Sequence, residues 1–305
     1  MTVRTQGYLC VLITMLIWGG FTILSRLNAV WHISAWDIVA LRFMVGFCVL
    51  MPILILRRDT AFLWRKEPIV LGLIGGVAYC LTVYSAFHFV PAAHAAIFLN
   101  GCIPLCTAVA AYFILKQPFD RHTWISLIIM MLALLGMSIL MYQQTHVAFN
   151  MGDGLFFLAA IWWGLFTVLL RRWKLSAWHA MSGVAIWSAI IYLPIYILWL
   201  PKHLLEATVP HLLIQGIFHG IFVVIVSTLS YVAAIERLGA FKTGSIVTLA
   251  PFIAAVVAVP LLGEALNNAM ILGLIGMGIG ALQPWRWVNR QDPLQAQLER
   301  QKRLK

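Results

Sequence analysis

The sequence predicts an all-α integral membrane fold, ten transmembrane helices arranged as two inverted five-helix repeats. Three observations predict it. The first is composition: of 305 residues, 62% are hydrophobic and 10% charged, with a mean hydropathy of +0.93, and a soluble chain of this length could not bury that much apolar surface. The second is length, since the apolar residues fall in ten stretches near the roughly 20 residues a helix needs to cross about 30 Å of hydrocarbon. Helix is the form that satisfies every backbone amide within its own segment, and barrel strands would be half as long. The third is repetition. Trp18-Gly19-Gly20-Phe21-Thr22 with Arg26 returns 145 positions later as Trp163-Gly164-Leu165-Phe166-Thr167 with Arg171. Pro52-Ile53-Leu54-Ile55-Leu56 returns as Pro194-Ile195-Tyr196-Ile197-Leu198. Tyr84-Ser85-Ala86 returns as Tyr231-Val232-Ala233, and Pro104 as Pro251, both 147 positions on. The small changes in offset belong in loops, where insertions are tolerated. Five spans per copy is an odd number, so the second copy must run upside down relative to the first.

In chain order, the first span is placed at 7–27. Its apolar run exceeds that of a signal peptide and no small-x-small site follows it, so it is read as retained. Spans two to five are placed at 35–56, 68–89, 92–115 and 123–142, and spans six to ten at 153–172, 178–200, 211–235, 241–262 and 267–285. Residues 1–145 form the first repeat, 150–286 the second, and 287–305 a basic tail. The polar stretch from Gln143 to Gly152 is expected to be the longest outside connection and the linker between copies. Spans three, eight and ten carry small-xxx-small pairs, Gly72 with Gly76, Gly216 with Gly220 and Gly276 with Gly280, which let backbones approach where lipid supplies no hydrophobic drive.

Basic residues set the orientation. With a cytoplasmic N-terminus, the inside segments hold all but Arg26, Arg42 and Lys202 of the 21 lysines and arginines. This bias predicts a multi-pass protein of the cell inner (plasma) membrane with both termini cytoplasmic. It also accounts for the net charge of +11 and pI of 9.8, so no nucleic-acid partner is expected. The five cysteines (Cys10, Cys48, Cys80, Cys102 and Cys106) all fall inside spans without a Cys-x-x-Cys pair and read as small apolar packers. No catalytic residue, cofactor or metal is expected, because the spans hold no His-x-x-x-His, Glu-x-x-His or paired carboxylates.

Inverted repeats are the architecture of secondary transporters, whose sites lie near mid-bilayer between the copies. Proline opens a helix by removing one amide bond and clashing with the carbonyl four residues back. Pro104 and Pro251 do so at equivalent points of spans four and nine. Trp18 with Thr22 and Trp163 with Thr167 share a face at four-residue spacing. Asn100 lies on the stripe of Pro104, and Thr248 close to the matching stripe of Pro251. Tyr79, Tyr84, Ser227 and Tyr231 complete a candidate lining from spans one, three, four, six, eight and nine. Each has a packing alternative: tryptophan fills space, threonine bonds back to its own helix, and tyrosine sits at interfaces.

Charge inside the bilayer is costly. Arg42 lies about 10 Å from the outer end of span two, where it can pair with Asp37, pair with a neighbouring helix or line the cavity. His94 and His219 are the other candidates for charge or proton coupling. Glu264 reads as interfacial. No carboxylate holds a central position, which argues against multivalent cations as cargo, and a single arginine argues against a strongly anionic one. The expected cargo is a small zwitterionic, neutral or amphiphilic molecule, taken by a monomer or homodimer in the lipid bilayer.

At these residues the chain resembles the EamA family of the drug/metabolite transporter superfamily, over nearly everything from Gly7 to Trp285. The resemblance rests on Trp18 to Phe21 and Trp163 to Phe166, Leu41-Arg42-Phe43, Tyr84-x-Ala86 and Tyr231-x-Ala233, the two prolines, and Leu262-Gly263-Glu264. Lys116-Gln117 departs from the Gly-Glu pair expected in the first copy. The resemblance implies an exporter of amino acids, metabolites or drugs, with a central cavity and alternating access by rocking helix bundles. Carriage of anionic nucleotide-like metabolites, or a channel-type permease, is the alternative.

Overall fold

The computed structural model describes residues 2–116, 121–145, 149–238, 243, 246–247, 249–263 and 266–282. Among these the secondary structure is helical, without strands. The helices are α1 (Val3–Val30), α2 (Ala35–Leu56), α3 (Lys66–Leu71, Gly72–Ala78 and Tyr79–Ala86), α4 (Ala92–His94, Ala95–Gly101 and Ile103–Leu115) and α5 (Arg121–Thr145). They continue with α6 (Met151–Trp173), α7 (Ala177–Trp199), α8 (Val209–Ile217, Phe218–Val226 and Ser227–Leu238), α9 (Ala250–Leu262) and α10 (Asn268–Leu282). Seven are long and apolar enough to cross a membrane: α1, α2, α3, α4, α6, α7 and α8. The apolar runs described in α5, α9 and α10 are shorter.

The helices start where side chains replace missing backbone partners. Ser34 accepts from the Asp37 amide at 3.1 Å and Ser176 from the His179 amide at 3.2 Å, the N-cap role of serine. These caps open the related runs Ser34-Ala35-Trp36 and Ser176-Ala177-Trp178. Asn150 and Asp153 form a capping box at the start of α6, which closes two otherwise unpaired amides. The helix carrying Pro104 and the one carrying Pro251 end alike, at Lys116 and Gly263, both in the left-handed region with φ of 51° and 66°.

The polar residues point inward. On α1, Thr14, Thr22, Ser25 and Asn28 are buried, whereas Leu9, Leu12, Ile13 and Leu16 are exposed. This is the arrangement expected in hydrocarbon, where apolar side chains gain nothing from leaving the lipid and polar ones must find partners inside.

Packing joins the halves of the chain. α1 runs antiparallel to α8, with Gly7 beside Leu238 and Trp18 beside Ser227. α6 runs antiparallel to α3, with Gly152 beside Val90, Phe156 against Phe87 and Trp163 against Tyr79. α1 also packs on α9 and α6 on α4, while α2 meets α8 and α7 meets α3. Finally α2 pairs antiparallel with α7, and α5 with α10. The glycine pairs sit at these contacts: Gly72 and Gly76 against Trp187 and Ser188 of α7, Gly216 and Gly220 against Leu41 and Val45 of α2, and Gly276 and Gly280 against Ala133 and Met130 of α5.

Several expectations are corrected. α3, α4 and α8 are not uniform α-helices, because Gly72–Ala78, Ala95–Gly101 and Phe218–Val226 are π-helical. In α4 the cause is Pro104, which cannot donate to Asn100, so the preceding turn widens. The shared stripe of Asn100 and Pro104 expected of an α-helix is therefore rotated. The linker between the copies is also shorter than expected: α5 stays helical to Thr145 and α6 starts at Met151. Among the connections whose residues are all described, 57–65 and 200–208 are the longest.

Candidate functional site

The candidate residues fall into clusters between the halves. Between α1 and α8, Trp18 Nε1 donates to Ser227 Oγ at 3.2 Å and its ring lies 5.4 Å from that of Tyr231. Thr22 is buried one turn along. Between α3 and α6, the rings of Tyr79 and Trp163 are 4.8 Å apart, and Thr167 Oγ1 donates back to Trp163 O at 2.8 Å. Ser227 Oγ likewise donates to Val223 O. The two hydroxyls thus serve their own helices, the ordinary fate of Ser and Thr in apolar surroundings.

α4 contributes differently. Asn100 Nδ2 donates to Ala95 O at 3.3 Å, five residues back, so its amide is used within the π-helical turn. Pro104 opens the following α-helical piece and Pro251 opens α9 in the same way. The Pro251 side chain, Thr248 and Glu264 lie outside the described residues.

A third cluster joins α2, α3 and α8. Arg42 Nη1 donates to Tyr84 Oη at 3.3 Å, and Tyr84 Oη lies 2.9 Å from His219 Nδ1. The Phe21 ring closes one side, 5.5 Å from His219 and 6.0 Å from Tyr84. Tyr84 and His219 are fully buried, whereas Arg42 keeps some accessible surface. The groups that set the electrostatic surroundings of Arg42 are Cys80, Tyr84 and Tyr79, none of them a carboxylate. The Asp37 pairing open to Arg42 in the sequence is not made. Asp37 instead accepts from Ser34, from the Tyr196 hydroxyl and from the His203 amide.

Sequence reasoning also missed Asp153. His94 Nδ1 and Asp153 Oδ1 are 2.6 Å apart, with both residues buried, so the start of α4 is tied to the capping box of α6. At the opposite face, Asp59 holds Trp178 Nε1 at 3.1 Å and His179 Nε2 at 3.2 Å. α2 is thereby tied to α7 at both ends, through Asp37 and Asp59. The exposed His203 is held above the usual histidine range by its 2.8 Å hydrogen bond to Glu206. The signal for the Asp37 and Asp59 ties lies in the repeated Ser-Ala-Trp run, whose two fourth positions are Asp37 and His179. No group of three or more potential metal ligands occurs among the described residues. What this interior offers is aromatic surface, a few hydrogen-bonding groups and one cation, which suits holding a small molecule.

Comparison with known proteins places the chain among transporters. The model of the EamA-like transporter family matches twice, over residues 5–139 and 150–283. An uncharacterized transporter of Clostridium kluyveri is 21% identical over 292 residues, spanning 91% of this chain and 92% of that one. A solved crystal structure superposes with a TM-score of 0.62 at 17% identity, covering 95% of this chain and 98% of that one, and so shares the fold. The chain is a multi-pass membrane protein that belongs to the EamA-like transporter family.

Proposed function

We propose that this protein is a ten-span carrier of the inner (plasma) membrane, built from two inverted repeats with both termini cytoplasmic. It exports amino acids or related small metabolites by alternating access. The observation that carries this reading is the pattern of helix contacts. Exchanging the copies turns α1 with α8 into α6 with α3, α1 with α9 into α6 with α4, and α2 with α8 into α7 with α3. The pairs α2 with α7 and α5 with α10 map onto themselves, and each runs antiparallel, as equivalent helices of inverted copies must. Such a frame has two arrangements of equal kind, open to either side, and rocking interconverts them. π-helical turns in α3, α4 and α8 supply backbone that can change register at low cost. A second reading, a carrier of anionic metabolites, draws on the place of Arg42 inside the bundle, where no carboxylate among the described residues pairs with it.

Reconstituted vesicles test the proposal. Preloaded vesicles should release a subset of amino acids or small metabolites saturably and faster than protein-free vesicles. Trp18→Ala and Trp163→Ala should lower that flux about tenfold, the scale of one aromatic contact, with insertion intact. No release across a broad panel, with or without a pH gradient, would remove the carrier reading, and flux that never saturates would favour a channel.

A further inference from the structure

Among the described residues, buried polar atoms without a partner occur at several places, and some of them lie on the helices that meet Tyr84. They include both amide atoms of Asn28, Arg42 Nε, Gln215 Oε1 and His219 Nε2, and away from these helices Thr107 Oγ1, His122 Nδ1, Ser182 Oγ and Thr243 Oγ1; Ser25 is hydrogen-bonded to Tyr84. Arg42 of α2 and His219 of α8 meet at Tyr84, with Ser25 of α1 beside them and Gln215 one turn of α8 away. Gln215 Nε2 donates to Leu24 O at 3.1 Å, the His219 ring rests on Phe21, and Arg42 and His219 both bond the Tyr84 hydroxyl. A buried polar atom left unpaired costs about 1 to 3 kcal/mol, and a buried cation without a counter-charge costs more. Two unpaired donors on residues that share one tyrosine, Arg42 Nε and His219 Nε2, describe a site whose partner comes from elsewhere.

We propose that the Arg42–Tyr84–His219 cluster binds the carboxylate of the transported molecule, and that this molecule is a monocarboxylate. The inference rests on the carrier reading above and specifies its substrate. Tyr84 accepts from the guanidinium, and in the tautomer assigned by this proposal its own proton is directed at His219 Nδ1, so that His219 Nε2 carries an N–H. Arg42 Nε is a second free donor, on the same relay of hydrogen bonds. A carboxylate accepts from both and supplies the missing negative charge, forming the charge-assisted contacts that guanidinium groups favour. One guanidinium balances one negative charge; a phosphate monoester would bring a second charge that no described residue here offsets. Gln215 Oε1, one turn from His219 on α8, then presents an acceptor to the remainder of the ligand, a role an ammonium group fills.

Ligand pairs differing only at the carboxylate test this on the intact protein in nanodiscs. A panel of amino acids and simple carboxylic acids, each set beside its primary amide, is screened by thermal shift and by counterflow in vesicles. The carboxylates should stabilise the protein and exchange, with their amides weaker on the order of 30-fold, as expected when one partner of a buried charge pair is removed. Arg42→Gln should erase the difference between acid and amide, and Arg42→Lys should restore part of it. If Arg42→Gln does not insert, the acid and amide pairs on the unaltered protein decide alone. Equal response to acids and amides overturns the inference and leaves Arg42 in a hydrated structural network. Preference for phosphate monoesters overturns it in favour of a nucleotide-type cargo. Absence of any counterflow by the unaltered protein counts instead against the carrier reading.

Discussion

Lys116 and Gly263 occupy the same place in the two copies, each closing a thirteen-residue helix in a left-handed conformation. Glycine adopts that conformation without steric cost, whereas a residue with a Cβ is strained there by about 1 kcal/mol. Lys116→Gly should accordingly raise thermal stability by about 1 kcal/mol, read from melting of the purified protein; an unchanged or lower melting point would show that the lysine makes a compensating contact. Equivalence between copies is what made this position legible, since the sequence already shows Lys116-Gln117 where Gly263-Glu264 stands in the second copy. The same equivalence marked Trp18, Tyr84 and Trp163. It could not mark Asp153, Asn28 or Gln215, which are not repeated, and a polar residue near a helix end reads as interfacial until its neighbours are known. Asn28 nevertheless continues a stripe through Thr14, Trp18, Thr22 and Ser25 at spacings of three and four, a periodicity that points into the bundle.

Hydropathy located the helices because a hydrocarbon slab demands long apolar runs, but it carries no information on hydrogen-bond register. The π-helical turns of α3 and α8 were invisible for that reason, although they lie at equivalent places, Gly72–Ala78 and Phe218–Val226. Glycine was the accessible clue. In α3, Gly75 and Gly76 lie so close to Phe166 and Ser188 that an added Cβ would collide with them, while Gly136 of α5 has nothing within 4 Å. Gly76→Val should therefore destabilise the protein by about 1 to 3 kcal/mol, the usual cost of overpacking, and separate α3 from α7. Gly136→Val serves as the control and should leave the melting temperature within about 0.5 kcal/mol of the parent. Equal melting of both variants would mean that α3 and α7 do not pack through glycine.

At the scale of the whole molecule, inversion makes a demand that helix content alone does not. Arg58 follows α2 and Lys202 follows α7, so the two hold nearly equivalent positions in the copies, and both are exposed. Parallel copies would put equivalent loops on one side of the membrane; inverted copies put them on opposite sides. Single cysteines introduced at Arg58 and Lys202, in a background lacking the five native ones, separate the two cases with a membrane-impermeant thiol reagent on intact cells. Lys202→Cys should react from outside and Arg58→Cys only after permeabilisation. His88→Cys and Lys174→Cys, at exposed turns of the first and second copy, should behave as the Lys202 and Arg58 sites respectively. Reaction of the Arg58 and Lys202 sites from one side would contradict the inverted arrangement. It would also sever the link between helix pairing and alternating access, because that link requires each face of the membrane to be built from the same contacts turned over.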